Sequence, residues 1–116
     1  MISIITVTYN NFDDLHRTLN SLEKVEGIEK VVVNGGKCAK TKEYLSDFDG
    51  IAISETDNGI SDAFNKGVHH SNGNNVMFLN SGDVLLSHDY LLEAENIIKF
   101  NPEISFVHSD LVFEDR

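Results

Sequence analysis

Disulfide chemistry is closed to this sequence, because its 116 residues include one cysteine, Cys38. No internal bridge and no thiolate metal cluster can form, and a reducing cytoplasm is the compartment that fits. Basic residues are also scarce, 9 Lys and Arg against 19 Asp and Glu, for a formal net charge of −10. Such a chain repels the phosphates of DNA and RNA and the anionic face of a membrane, so nucleic acid is excluded as a partner. No apolar run approaches the roughly 20 residues that cross a bilayer. Any membrane association, for instance at the inner face, would run through segments outside this sequence. The first residues lack a basic n-region and a long apolar h-region, and they read as a strand rather than a secretory leader. Two phosphate-binding devices are missing as well. No G-x-G-x-x-G follows the first strand, and no G-x-x-x-x-G-K-[ST] occurs anywhere.

What remains is ordinary globular composition, 41% apolar and 24% charged, which argues for a packed core and against disorder. The length suits one domain over 1–116. Residues 2–8 form a β-branched run with too little alternation for a half-exposed strand, which predicts a central strand covered on both faces. Phe12, Leu15, Leu19 and Leu22 then recur at helical spacing, with Asn11 as cap and Gly27 as stop. The unit repeats. Strands are expected at 30–33, 51–53 and 75–79, each followed by a polar loop and a helix, over 41–48, 60–68 and a stretch from Ser87 to the Asn101-Pro102 stop. Tyr44, Leu45 and Phe48 should face inward from the second helix, Ile60, Phe64 and Val68 from the third, and Leu91, Ala94 and Ile98 from the fourth. A fifth strand is expected near 104–107. Strands alternating with short helices imply βαβ crossovers, so the fold class is α/β, a Rossmann-like, mostly parallel sheet with helices on both faces.

In such a sheet ligands bind beyond the carboxyl ends of the strands, where helix N-termini and unpaired backbone donors converge. The loops there are Thr8-Tyr9-Asn10, Asn34-Gly35-Gly36, Glu55-Thr56-Asp57-Asn58-Gly59 and Asn80-Ser81-Gly82-Asp83. An acidic chain without a P-loop can still take a phosphorylated ligand through a divalent cation, held by one or two carboxylates and completed by phosphate oxygens and water. Asp83 stands in the right loop for that.

Those blocks resemble the family 2 glycosyltransferases of GT-A fold, over the whole length. Residues 3–10 resemble the family's opening strand, and Val33-Asn34-Gly35-Gly36 resembles the loop that meets the base, with Asn34 where an Asp is usual. Residues 55–67 are similar to an E-x-D-x-G-I-x-D-A-x-N-K-G block found in one branch. Residues 78–83 resemble the strand and loop of the D-x-D-type signature, with Ser81 at its first acidic position. The resemblance implies the nucleotide-sugar-binding, N-terminal half of a longer enzyme. That enzyme would transfer a sugar from a nucleotide diphosphate donor, uridine diphosphate by default, to a hydroxyl acceptor, with inversion. The acceptor would be a glycan or lipid-linked sugar, as in polysaccharide biosynthesis. The same resemblance implies that Thr8, Tyr9, Asn10, Asn34, Asp57, Asp62, Ser81 and Asp83 line the donor site, that Asp83 binds Mn²⁺ or Mg²⁺, and that the acceptor-side base lies beyond Arg116.

Plainer readings compete for several residues. Asp57 reads equally well as the cap of the third helix and Asp62 as a first-turn carboxylate favoured by the helix dipole. Lys66 reads as a solvated helix position. His69-His70 and His108-Ser109-Asp110 read as surface pairs, and Cys38 as an incidental loop thiol. Two rival functions are a non-catalytic sugar-nucleotide-binding module and a phosphorylation receiver. The receiver needs an acidic pair after strand one, but Asp13 and Asp14 fall inside the first predicted helix.

Overall fold

The computed structural model describes residues 1–107, so His108-Ser109-Asp110 lies outside the described residues. The chain divides into two compact units, Met1–Leu86 and Ser87–Arg116. In the first, β1 (Ile2–Thr8), α1 (Phe12–Ser21), β2 (Ile28–Asn34), α2 (Ala39–Ser46), β3 (Ile51–Ser54), α3 (Ile60–His70) and β4 (Asn75–Phe78) follow in order. The described part of the second carries α4 (Asp89–Phe100). Among the described residues no helix is long and apolar enough to cross a membrane.

All strand pairs are parallel, and the sheet order is β3-β2-β1-β4. The expected α/β class with a parallel sheet is therefore observed. β1 lies between β2 and β4, and Ile2, Ile4 and Ile5 are buried on it, as its β-branched run with little polar alternation required. β2 contributes Val31, Val32 and Val33, all fully buried. The chain steps from β1 to β2 to β3 in one direction and then returns to the far side of β1 for β4. The carboxyl ends of β1 and β4 therefore flank the topological switch point, where neighbouring loops diverge and leave a crevice.

Helix boundaries follow local chemistry. Asn11 caps α1 as expected, its Oδ1 accepting from Asp14 N at 3.2 Å, which satisfies one of the orphan amides of the first turn. α1 ends at Ser21, well before Gly27, which instead takes φ 73 in the following loop. Ser87 Oγ accepts from Asp89 N at 3.2 Å at the start of α4.

Two expectations are corrected. The inward face of α3 is not Ile60, Phe64 and Val68. Ile60 is 59% and Val68 41% exposed, while Ala63 and Gly67 are the buried residues. The reason is close approach: a Cβ on Gly67 would collide with Ile5 Cγ2 and come within 3.4 Å of Val33 Cγ2, so only small residues fit between α3 and the sheet. Phe64 packs its ring on Phe78 instead, centroids 4.8 Å apart. The second correction concerns residues 104–107, which form no strand. Apolar character alone is a weak strand signal, because β-propensity depends on the packing and pairing a segment finds.

The amino ends of the strands are closed by a polar knot. Glu29 accepts from Asn72 Nδ2 at 2.9 Å, Asn72 N at 2.7 Å and Ser3 Oγ at 2.8 Å, and Gly73 N donates to Ser3 Oγ at 2.8 Å. The Asn72 side chain, then its backbone N–H, hold the Glu29 carboxyl below the usual range, against the opposing effect of burial. This knot fixes the end of the sheet remote from the switch point.

Candidate functional site

Four loops meet at the carboxyl edge. β1 ends at Thr8, which pairs with Asn34 at the end of β2. Gly35 N donates to Thr8 O at 3.0 Å, and Glu55 N donates to Asn34 O at 3.1 Å, so the ladder continues past the strands and pulls three loops together. On the other side of β1, Leu79 N donates to Ile5 O at 2.9 Å and Ser81 Oγ to Val7 O at 2.8 Å. The Ser81 hydroxyl thus fastens the β4 loop to the end of β1.

Asn10 takes φ 50, a left-handed conformation that asparagine tolerates better than most residues. Its Oδ1 accepts from Lys37 N at 2.8 Å, and a Cβ on Gly36 would overlap the same amide, so the β1 and β2 loops interlock. Tyr9 is left outside this contact, 71% exposed. Thr8 is buried, and its hydroxyl has no hydrogen-bond partner among the described residues.

Asn34 behaves differently from the sequence expectation of an amide offered outward. It is fully buried, its Nδ2 donates to Ser54 Oγ at 3.4 Å, and its Oδ1 accepts from Gly36 N at 3.1 Å. Both ends of the amide are consumed in shaping the loop.

The β3–α3 loop is ordered by charge, because Glu55, Thr56, Asn58 and Gly59 are all exposed and offer no apolar anchor. Asp57 Oδ1 accepts from Gly59 N at 3.0 Å, an Asx-type turn, and its carboxylate occupies the space that any side chain on Gly35 would fill. Gly59 itself has φ 111, which L side chains rarely adopt. Asp62 Oδ2 accepts from Asn58 N at 2.9 Å, and this bond, with the charge of Lys66, outweighs burial and lowers its pKa.

Lys66, expected to be a solvated helix position, is instead the clamp of this loop. Its Nζ donates to Thr56 O at 2.6 Å and lies 3.3 Å from Glu55 and 3.5 Å from Asp62. Partial burial depresses its pKa, but Glu55 and Asp62 more than compensate, and the net shift is upward. The spacing Asp62 to Lys66 is an i,i+4 pair that the sequence displays openly. Its reach to Thr56 and Glu55 depends on the loop fold and had no local signature.

In the β4 loop, Asp83 N donates to Asn80 O at 3.0 Å and Gly82 has φ 98, the arrangement a type II turn requires. Asp83 is exposed, and its carboxylate has no hydrogen bond or ion pair to another described residue. Asp14 lies next to the same turn, its Oδ2 3.3 Å from where a Cβ of Gly82 would stand. Among the described residues, no three His, Cys, Asp or Glu side chains cluster tightly enough to hold a metal alone.

The model of glycosyl transferase family 2 matches residues 3–116, nearly the whole chain. The chain belongs to glycosyltransferase family 2. Curated relatives include uncharacterized glycosyltransferases from two strains of Mycobacterium tuberculosis, each 36% identical over 99 residues. Each match covers 80% of this chain, yet the chain spans only 38% of the relatives' length. Among solved structures, Staphylococcus aureus TarS 1-349 superposes with a TM-score of 0.70 at 22% identity, over 87% of this family 2 chain and 33% of TarS. That likeness shows the GT-A fold. In this family 2 chain the eight residues expected at the donor site all lie at the carboxyl ends of the strands, in the loops that follow them or in the first turn of α3. Thr8, Tyr9 and Asn10 end β1, Asn34 ends β2, Asp57 and Asp62 flank the start of α3, and Ser81 and Asp83 follow β4.

Proposed function

We propose that this edge binds the diphosphate of a nucleotide-activated sugar, uridine diphosphate by preference, together with Mn²⁺ or Mg²⁺ on Asp83. The whole protein would then transfer the sugar, with inversion, to a hydroxyl of a glycan or lipid-linked acceptor. The observation that carries the reading is the placement, in a family 2 chain, of an exposed carboxylate without partners among the described residues on a turn fastened to β1 at the switch point. A chain of net charge −10 needs a cation to admit a diphosphate.

The residues present fit such an ion in one form. With no three-ligand cluster among the described residues, the metal would enter with the nucleotide, one coordination position supplied by Asp83 and the rest by phosphate oxygens and water, as Mg²⁺ commonly accepts. When bound, it would offset the charge that grows on the departing diphosphate. Asp83 would orient that charge toward β1. Tyr9, exposed beside the edge, offers a flat apolar face to the nucleobase. Ser81 donates its proton to Val7 O but retains acceptor lone pairs for a ribose hydroxyl. Thr8, through its backbone carbonyl, and Asn10, through its side-chain amide, would shape the floor, while Asn34, Asp57 and Asp62 would hold the loops that contact the donor rather than reaching it themselves. The base that removes the acceptor proton would lie beyond Arg116.

Calorimetric titration with uridine diphosphate tests the reading. Binding in Mn²⁺ is expected to be at least about ten-fold tighter than in a chelator, a difference of roughly 1.4 kcal/mol. No heat under either condition, or equal affinity under both, would refute it.

A further inference from the structure

Asp83 is exposed and sits on a turn rich in small polar residues, so something else must hold that turn still. Ser81 ties it to β1, and a second holding group is on α1. Thr18, fully buried, donates from Oγ1 to Asn80 O at 3.3 Å and accepts from Gly82 N at 2.8 Å. Its one hydroxyl therefore bridges the two residues that flank Ser81, using both its donor and an acceptor lone pair. Gly82 N also lies 3.2 Å from Asp14 O. One turn further along α1, Ser21 Oγ donates to Thr18 O at 2.6 Å and accepts from Leu85 N at 3.1 Å. Asp83 thus sits between two points at which the loop is stitched to one helix.

We infer that Thr18 is a positioning residue for the donor site, setting the Asn80-to-Asp83 turn and hence the place where the Asp83 carboxylate meets the cation. The functional half of this inference rests on the donor-site reading above, but the structural half does not. Binding groups lose effectiveness when their supporting atoms move by a fraction of an ångström. A hydroxyl at position 18 satisfies a backbone donor and a backbone acceptor together. An isosteric valine fills the same space but removes both bonds, leaving Gly82 N only its 3.2 Å contact to Asp14 O and Asn80 O only the amide of Asp83. Serine keeps the hydroxyl and loses only a methyl group.

The test compares Thr18→Val and Thr18→Ser in the intact chain, reading amide hydrogen exchange and calorimetric affinity for uridine diphosphate with Mn²⁺ and with chelator. In Thr18→Val the amides of Gly82 and Asp83 are expected to exchange about ten-fold faster, with β1 and β2 amides unchanged. Affinity in Mn²⁺ should fall about ten-fold while affinity in chelator stays put, the size expected for losing one well-made hydrogen-bond pair. Thr18→Ser should restore both. A Thr18→Val chain with wild-type exchange in the turn overturns the inference. So does an equal loss of affinity with and without metal, which marks a general structural role, or a failure of serine to rescue. Should the valine variant not fold, Ser21→Ala carries the test, with faster exchange at Leu85 and weakened Mn²⁺-dependent affinity expected, and wild-type values for both overturning it. If wild-type chain shows no metal-dependent binding, the donor reading falls, and the exchange data alone decide whether Thr18 sets the turn.

Discussion

Asp83→Ala is expected to reduce Mn²⁺-dependent affinity for uridine diphosphate about hundred-fold, to the level wild type shows in chelator. Two orders of magnitude correspond to about 2.7 kcal/mol, within what one carboxylate–metal–phosphate bridge supplies when no other protein group can replace it. The described residues contain no group of three His, Cys, Asp or Glu side chains that could hold the ion instead. Thermal stability should remain at the wild-type value, since the carboxylate is exposed and bonded to no described residue. Calorimetry in parallel with a thermal melt separates the two effects. An affinity within about three-fold of wild type would remove Asp83 from the site, three-fold being well under 1 kcal/mol.

The largest expected loss of stability is at Gly67. A Cβ there would strike Ile5 Cγ2, and Ile5 is a fully buried β-branched residue with little freedom to turn away. Gly67→Ala gains roughly 1 kcal/mol of helix propensity but overpacks the interface by about 1–3 kcal/mol, for a small net loss. Gly67→Val has no such compensation and adds two methyl groups to the clash. We expect it to cost about 3 kcal/mol or more, lowering the melting midpoint by roughly 15 °C in a domain of this size. Circular dichroism melts of both variants check this. A valine variant as stable as wild type would mean that α3 does not rest as closely on β1 and β2 as described.

Gly67 also shows why some of this molecule could be read from its residues and some could not. Periodicity within ten or so residues located β1, β2, α1 and the N-cap Asn11, because each is decided by local hydrogen bonding and by burial of one stripe or run. The same reasoning misjudged α3. It gave weight to Ile60, Phe64 and Val68 because they are large, whereas the contact is set by how near the helix axis comes to the sheet, which favours Ala63 and Gly67. It likewise placed a strand over 104–107, where none forms.

The edge loops divide in the same way. That they are polar and follow strands was evident, and a resemblance named the eight residues expected to face the donor. How each side chain is used depends on partners far along the chain. Asn34 turns inward to Ser54, Ser81 reaches back to Val7, and Thr18 stitches a loop that begins more than fifty residues later. None of these bonds leaves a mark on spacing or composition. Lys66 is intermediate, its link to Asp62 visible as a helical pair and its grip on Thr56 O not.

Paramagnetic relaxation by Mn²⁺ in an amide-resolved NMR spectrum addresses the central claim most directly. Added alone at low concentration, the ion should broaden few signals in common with those affected once uridine diphosphate is present. With the nucleotide, selective broadening is expected at Gly82 and Asp83 and at Thr8 to Asn10 across the switch point. Broadening that ignores the nucleotide, or that centres on the carboxylates around Glu43, Asp47 and Asp49 instead, would contradict the account.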